Sequence, residues 1–442
     1  MSREKVILFG AGNFGRVHAN DLNILVVLGG VVDINPERKE IAEKYKVPFW
    51  NIDVTRYVVE KSIDQVVAIA TDKDEAKKVL KEAMEDVRKK LHSEDPNLIR
   101  SYIHLIAASE LYDRFENEGL EPCPEEILKA DGWDIVTNTP SHYPIALLGI
   151  VKGIKRIFIE KPPTEELSQL DTLIRLSKEK NTIVGVDYIE MAHPVVLATK
   201  EVIGKQEPIY YLNHRSKDLR GVIQRGIGGG EGSRIILEDL VHDLSEILYF
   251  RGSLEGAKVI EARVERWRDL GYPYNTDVKA QFKIKFPEAE AEVKGSFADP
   301  EVRQYVVRLS ADEAIYGNTL TRPHIQPIAA YIQGKDNIET IIEAVREGKI
   351  LTNEDQQKIL EKTKAETLED LMKKYVPECK YKDGKPVYGW APLYNMLENW
   401  LRAESNKDLF CNLEMAYDIQ RVAEMVYRAA GAEDAMIVRK GY

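Results

Sequence analysis

Cysteine is scarce in this chain, and long apolar runs are absent. The 442 residues include three cysteines, Cys123, Cys379 and Cys411. They are far apart, odd in number and without metal-ligand spacing. That argues against a disulfide framework and against a metal site, and a reduced, cytoplasmic setting is expected. No apolar stretch reaches the roughly 18 residues of a membrane helix. The opening "MSREKVILFGAG" holds too short an apolar run for a signal peptide, so no membrane partner is expected. An excess of positive charge is missing as well. Lys and Arg number 62 against 73 Asp and Glu, a formal net charge of −11, which argues against nucleic acid as the main partner. The glycine run "GIGGGEG" at 226–232 has no following Lys-Ser/Thr, which rejects a P-loop there. There is no low-complexity segment, and no internal repeat beyond related βα units.

What is present is enough for two or three domains with a large core. In "KVILFGAGNFGRVHANDL" an apolar strand runs into Gly10-Ala11-Gly12-Asn13-Phe14-Gly15 and then a helical pattern. In that context each glycine has its own task. Gly10 permits the tight turn, Gly12 lets a pyrophosphate approach the backbone, and Gly15 lets helix and strand pack closely. The anion sits on the helix N-terminus. A second apolar run ends in Asp33, placed to accept hydrogen bonds from both adenosine ribose hydroxyls. Ile34 follows where an NADP site often carries Arg, so NAD is the expected cofactor.

Further strand-like runs at 64–74 and 134–144, and "IKRIFIEKPPT" after a helical stretch, complete a doubly wound α/β pattern. The segment 73–130 reads as a helical insertion. Pro162 restricts Lys161 to an extended conformation at the end of its strand. An amphipathic helix follows with Thr164 as its N-cap, and "TIVGVDY" closes the domain near Tyr188. Residues 234–250 are helical by periodicity. Glu238 lies four residues before His242 and shares its face, and Asp239, three before, is the alternative partner for the imidazole. Residues 257–320 alternate as strands of an open, mostly antiparallel sheet with one solvated face. The tail from about 335 is helical, with 351–390 as an added segment. "LNHRSKDLRGVIQR" concentrates Arg215, Lys217, Arg220 and Arg225, either a solvated loop or a clamp for a phosphate or carboxylate.

These residues resemble the glucose–fructose oxidoreductase / inositol dehydrogenase (Gfo/Idh/MocA) family of NAD(P)-dependent oxidoreductases. The likeness rests on "GAGNFGRVHA", "VDINPER", "TNTPSHYPIAL", "IEKPPT", "VDYIEMAHP" and "GGGEGSRIILEDLVHDLSEI", in order and spacing over about 1–250. It implies an N-terminal Rossmann sheet, here 1–188, and a C-terminal α+β domain, here 189–442. The open sheet of that second domain would serve substrate and subunit contact in a homo-oligomer, a dimer or tetramer. The resemblance implies Lys161 beside the nicotinamide, with the following proline commonly cis. It places cofactor contacts at Gly10, Gly12, Asn13, Phe14, Gly15, Asp33, Thr139, Pro140, His142, Glu160 and Lys161. Substrate contacts fall at Tyr188, His193, Arg215, Glu238, Asp239 and His242.

The implied reaction is NAD-dependent oxidation of a secondary alcohol on a sugar, cyclitol or related polyol, or the reverse reduction. His242 is its general base, titrating near neutrality, and Lys161 stabilises the alkoxide. Glu238 stands where family members carry Asp. No metal is required. Two alternatives share this fold: a redox-neutral hydrolase or lyase with bound NAD, and a non-catalytic NAD-sensing regulator.

Overall fold

The computed structural model describes residues 4–52, 124–217, 235–266 and 277–432, apart from the side chains of Pro140, Val151 and Glu238. The strand expected at 64–74, nearly all of the 73–130 insertion, Arg220, Arg225 and the glycine run lie outside these residues. Among the described residues the chain divides into two compact units. One is Met1–Ile159 with Arg175–Thr182; the other is Glu160–Ile174 with Ile183–Tyr442. Strand β6 (Ile183–Asp187), read from the sequence as closing the first domain, falls with the second unit. None of the described helices is long and apolar enough to cross a membrane.

The first sheet takes the order β3-β2-β1-β4-β5-β6. Its other strands are β1 (Val6–Phe9), β2 (Leu28–Val32), β3 (Phe49–Trp50), β4 (Gly132–Ile135) and β5 (Arg156–Glu160). β1 pairs in parallel with both β2 and β4 and is buried along its length, which is why "VILF" reads as a continuous apolar run. The strand order reverses at β1, and the crevice at such a reversal is where open α/β sheets bind ligands. The last turn of the insertion, Glu125–Leu128, is tied in by Trp133, whose Nε1 donates to the Ile127 carbonyl at 3.0 Å. Helix Leu167–Lys180 starts later than the sequence suggested. Thr164 does not cap it; its hydroxyl donates instead to the Glu166 carbonyl at 2.9 Å.

The second sheet runs β14-β13-β12-β11-β7-β10-β9-β8. Its strands are β7 (Tyr210–Ser216), β8 (Lys258–Arg266), β9 (Asp277–Lys285), β10 (Glu290–Ser296), β11 (Val302–Arg308), β12 (Glu313–Asn318), β13 (Ile328–Gln333) and β14 (Glu366–Thr367). Only the β7–β10 pairing is parallel. β7 corrects the sequence reading. The start of the basic stretch is a buried central strand, because His214, Arg215 and Ser216 find polar partners inside the unit.

The solvated face is corrected in part too. It holds at the β8 edge, where Ile260 is exposed. Strands β11 and β12 are buried on both faces. Helix Lys335–Arg346 covers the outer face with Ile338, Ile341, Ile342 and Val345, which pack on Leu212, Val306, Tyr316 and Ile332. The tail continues as helices Asn353–Lys362, Glu369–Lys374, Pro392–Arg402 and Leu413–Ala429.

Candidate active site

In the first unit the three glycines differ in what surrounds them. Gly10 has φ +86°, and a Cβ there would lie 2.5 Å from the Val136 carbonyl oxygen. A Cβ on Gly15 would lie 2.1 Å from the Gly10 carbonyl oxygen. These two are demanded by packing. A Cβ on Gly12 meets nothing within 4 Å, so only an incoming group can require that glycine. Helix Gly15–Ile24 starts directly behind the turn, with Asn13 and Phe14 exposed ahead of it. The Asp33 carboxylate faces the same turn. Ala11 N–H donates to its Oδ2 at 2.6 Å and Asn35 N–H to its Oδ1 at 2.7 Å. A carboxylate has about four acceptor sites, so each oxygen keeps one for a ribose hydroxyl. The turn and the acid fit a dinucleotide.

Thr139 opens helix Thr139–Lys152 with Pro140 behind it, a favoured helix start. His142 is buried, and its Nε2–H donates to the Thr137 carbonyl at 3.0 Å, which fixes the loop ahead of that helix. His18 pairs with Asp134, Nδ1 to Oδ2 at 2.8 Å, both fully buried. Sequence reasoning missed Asp134, because a strand acid inside an apolar run carries no local signal.

The second unit gathers the residues of the proposed chemistry. The Lys161–Pro162 bond is cis, and Lys161 N–H donates to Oε2 of the buried Glu160 at 3.1 Å. His242 opens helix Val241–Arg251 immediately after a π-helical turn, Ile236–Leu240. Such turns are frequent at functional sites. The imidazole is buried, stands edge-on to Tyr188 at 6.4 Å between ring centres, and its Nδ1 has no hydrogen-bond partner among the described residues. Burial, and then the charges of Lys161, Arg215, Lys217 and Arg303, push its pKa well below the ordinary 6.5. Both causes favour the neutral imidazole, against the titration near neutrality that the sequence suggested. The hydroxyl of Tyr188 is buried without a partner among the described residues. His193 caps helix Pro194–Ile203, accepting from Val195 N–H at 3.2 Å through Nδ1, which leaves the proton on Nε2. Burial lowers its pKa to about 4.

Asp239 does not orient the imidazole. Its Oδ1 accepts from Lys217 Nζ. Although burial opposes it, Lys217 and Arg215 hold Asp239 at about 2, while burial brings Lys217 down to about 8. Glu238 lies on the π-helical turn, and its side chain is outside the described residues. Arg215 departs furthest from its expected part as an anion clamp. Its side chain is 2% exposed, and its donors go to Glu190, Asp243 and Glu246. Each of its three nitrogens is engaged with a carboxyl group of the unit's interior. Glu190, Asp243 and Glu246 were invisible to sequence reasoning, since their meeting depends on β7 crossing beneath two distant segments.

The two sheets define a Rossmann domain joined to an α+β domain. No protein-family model and no curated protein matches the chain. Among solved structures, UDP-N-acetylglucosamine 3-dehydrogenase from Acidithiobacillus ferrooxidans matches over 99% of this chain and 100% of its own, with TM-score 0.59 and 15% identity. An oxidoreductase from Agrobacterium radiobacter, solved with NAD+, L-tartaric acid and magnesium, matches over 97% of each chain with TM-score 0.60 and 12% identity. Levoglucosan dehydrogenase, solved with NADH and levoglucosan, matches over 98% of each chain with TM-score 0.59 and 13% identity. The chain has their fold.

Proposed function

We propose that the chain is a member of the Gfo/Idh/MocA family, an NAD-dependent dehydrogenase that oxidises a secondary alcohol of a sugar, cyclitol or related polyol. The observation that carries the reading is the pairing in one unit of Lys161 with a buried, neutral His242. Both are the residues such chemistry needs, and the charge of Lys161 is close enough to depress the imidazole. The glycine turn and Asp33 bind the dinucleotide in the first unit. NAD, when bound, supplies the hydride acceptor. An alcohol releases hydride only as its proton leaves. His242 takes that proton, and the Lys161 ammonium stabilises the alkoxide that remains. Burial of Tyr188 and His193 keeps water from the alkoxide and leaves their O–H and Nε2–H as donors for neighbouring hydroxyls.

The test is a panel of sugars, inositols and sugar acids with NADH absorbance followed in the full-length protein. On the best substrate, Lys161→Ala and His242→Ala should each cut kcat by about 10²–10⁴. The double variant should be little worse than the worse single, because groups acting on one hydroxyl are non-additive. NAD binding should persist in all three. Undiminished turnover by folded, NAD-bound Lys161→Ala would overturn the reading.

A further inference from the structure

We infer that Arg215 is a positioning residue, whose buried guanidinium sets the segment carrying Tyr188 and His193 against the helix carrying His242. The kinetic consequence rests on the function proposed above; the geometry does not. Arg215 projects from the central strand β7 and reaches in three directions. Nε donates to Asp243 Oδ1 at 3.1 Å, Nη1 to Glu190 Oε1 at 3.0 Å, and Nη2 to Glu246 Oε1 at 3.2 Å. Glu190 lies in the turn Ile189–Ala192, between Tyr188 and His193. Asp243 is the residue after His242, and Glu246 follows one turn later on the same helix. One planar group therefore holds both segments that carry candidate substrate contacts.

The acids are held from a second side as well. Asn213, also on β7, donates to Glu246 Oε2 at 2.7 Å, and Arg303 on β11 donates to Glu190 Oε1 at 3.3 Å. A guanidinium fixes direction as well as distance, because its donors lie in one rigid plane; an ammonium presents all its donors from one atom. Stability is a poor explanation for the arrangement. A buried ionic cluster is often no more stable than an apolar replacement of the same volume. Here two guanidiniums face three carboxyl groups. Burial raises Asp243 to about 7 and Glu246 well above the ordinary range, while Arg215 and Arg303 hold Glu190 at about 2. What the cluster provides in exchange is one defined rotation of the His242 helix, since a turn of that helix would break two of the three bonds.

The experiment compares the unaltered chain with Arg215→Lys, which keeps the charge and loses the fork, and with Arg308→Lys, a distant β11 control. Steady-state kinetics, thermal unfolding and the ring nitrogen signals of the histidines are measured on each. For Arg215→Lys, kcat should fall by about a hundredfold with KM little changed, as expected for misplaced groups. The His193 and His242 ring signals should shift, while those of His18 and His142 stay. Arg308→Lys, which loses a fork to Ser310, Glu339 and Ala311, should match the unaltered chain in kinetics and in the histidine ring signals, whatever its thermal unfolding. Should Arg215→Lys not fold, Glu190→Asp shortens one arm at constant charge and should give the same kinetic loss and the same His193 shift. A folded variant with unaltered kcat and unaltered His193 and His242 signals would overturn the inference. If no polyol is turned over at all but the ring signals move, the function fails and the positioning role stands.

Discussion

Alanine substitution at the three glycines of the turn separates fold from ligand. At Gly15 a methyl group would stand 2.1 Å from the Gly10 carbonyl oxygen and 3.0 Å from its carbon. Both are main-chain atoms, so no side-chain rotation relieves the overlap, and β1 and helix Gly15–Ile24 must part. Overpacking of this kind costs about 1–3 kcal/mol or more. At Gly10 the overlap with Val136 is milder at 2.5 Å, but the backbone has φ +86°. A left-handed conformation adds about 1–2 kcal/mol for a residue with a Cβ. At Gly12 a methyl group finds open space, so stability should not change. It would instead occupy the path of the pyrophosphate, and losing about 1.4 kcal/mol of binding there weakens NAD tenfold. Thermal unfolding and calorimetric NAD titration of the three variants form the assay. With about 2–4 °C of midpoint per kcal/mol for a domain of this size, Gly10→Ala and Gly15→Ala should melt several degrees early. Gly12→Ala should melt with the unaltered chain and bind NAD at least tenfold more weakly. The reasoning is refuted if Gly12→Ala binds NAD as tightly as before, or if Gly15→Ala loses no stability.

Three other outcomes are expected. Because His242 stays neutral well below pH 6.5, kcat/KM for oxidation should show no imidazole limb between about pH 6 and 7; a limb there that disappears in His242→Ala would contradict the burial argument. Asp243 has a folded pKa of about 7 against an ordinary 3.8, so the folded state binds the extra proton between those values and the cost of the ionised form is greatest above pH 7. Asp243→Asn should therefore raise the melting temperature at pH 8 and progressively less as pH falls toward 4; an increase that is the same at both ends would rule out titration as its cause. Asp33→Asn removes the charge that repels a 2′-phosphate and one acceptor for the ribose, so it should weaken NAD and narrow the gap to NADP; titration of both cofactors checks this, and an unaltered preference would clear Asp33 of the role.

Local chemistry was legible in the sequence wherever neighbours along the chain decide it. The Gly10–Gly15 turn, Asp33 at the end of β2 and the alternating strands from Lys258 to Asn318 needed only spacing and periodicity. The basic stretch failed for the opposite reason. Arg215 looks like part of a polar loop because its three carboxylate partners come from 25, 28 and 31 residues away. Asp239 was read as an alternative partner for the imidazole for the same reason: no helical periodicity points to Lys217, just beyond the end of β7. Thr164 looked like a cap, but helix Leu167–Lys180 begins beyond its reach. Burial also reversed an electrostatic expectation, since His242 in isolation is an ordinary imidazole and only its surroundings make it acid-resistant.

Helix Lys335–Arg346 has a consequence for where the chain can be shortened. By sequence the helical tail from about 335 follows the alternating strands, with 351–390 as an added segment. Yet Ile338, Ile341, Ile342 and Val345 are the lid on Leu212, Val306, Tyr316 and Ile332. A chain ending before 335 would present a flat apolar patch on the central strands, the kind of surface that sticks to its like. Cutting further on is no safer, because Ile359, Leu360 and Ala365 pack on the same core and Leu397, Trp400, Ile419, Val422 and Tyr427 are buried beyond it. A shortened protein that precipitates would therefore point to uncovered core before it pointed to the active site.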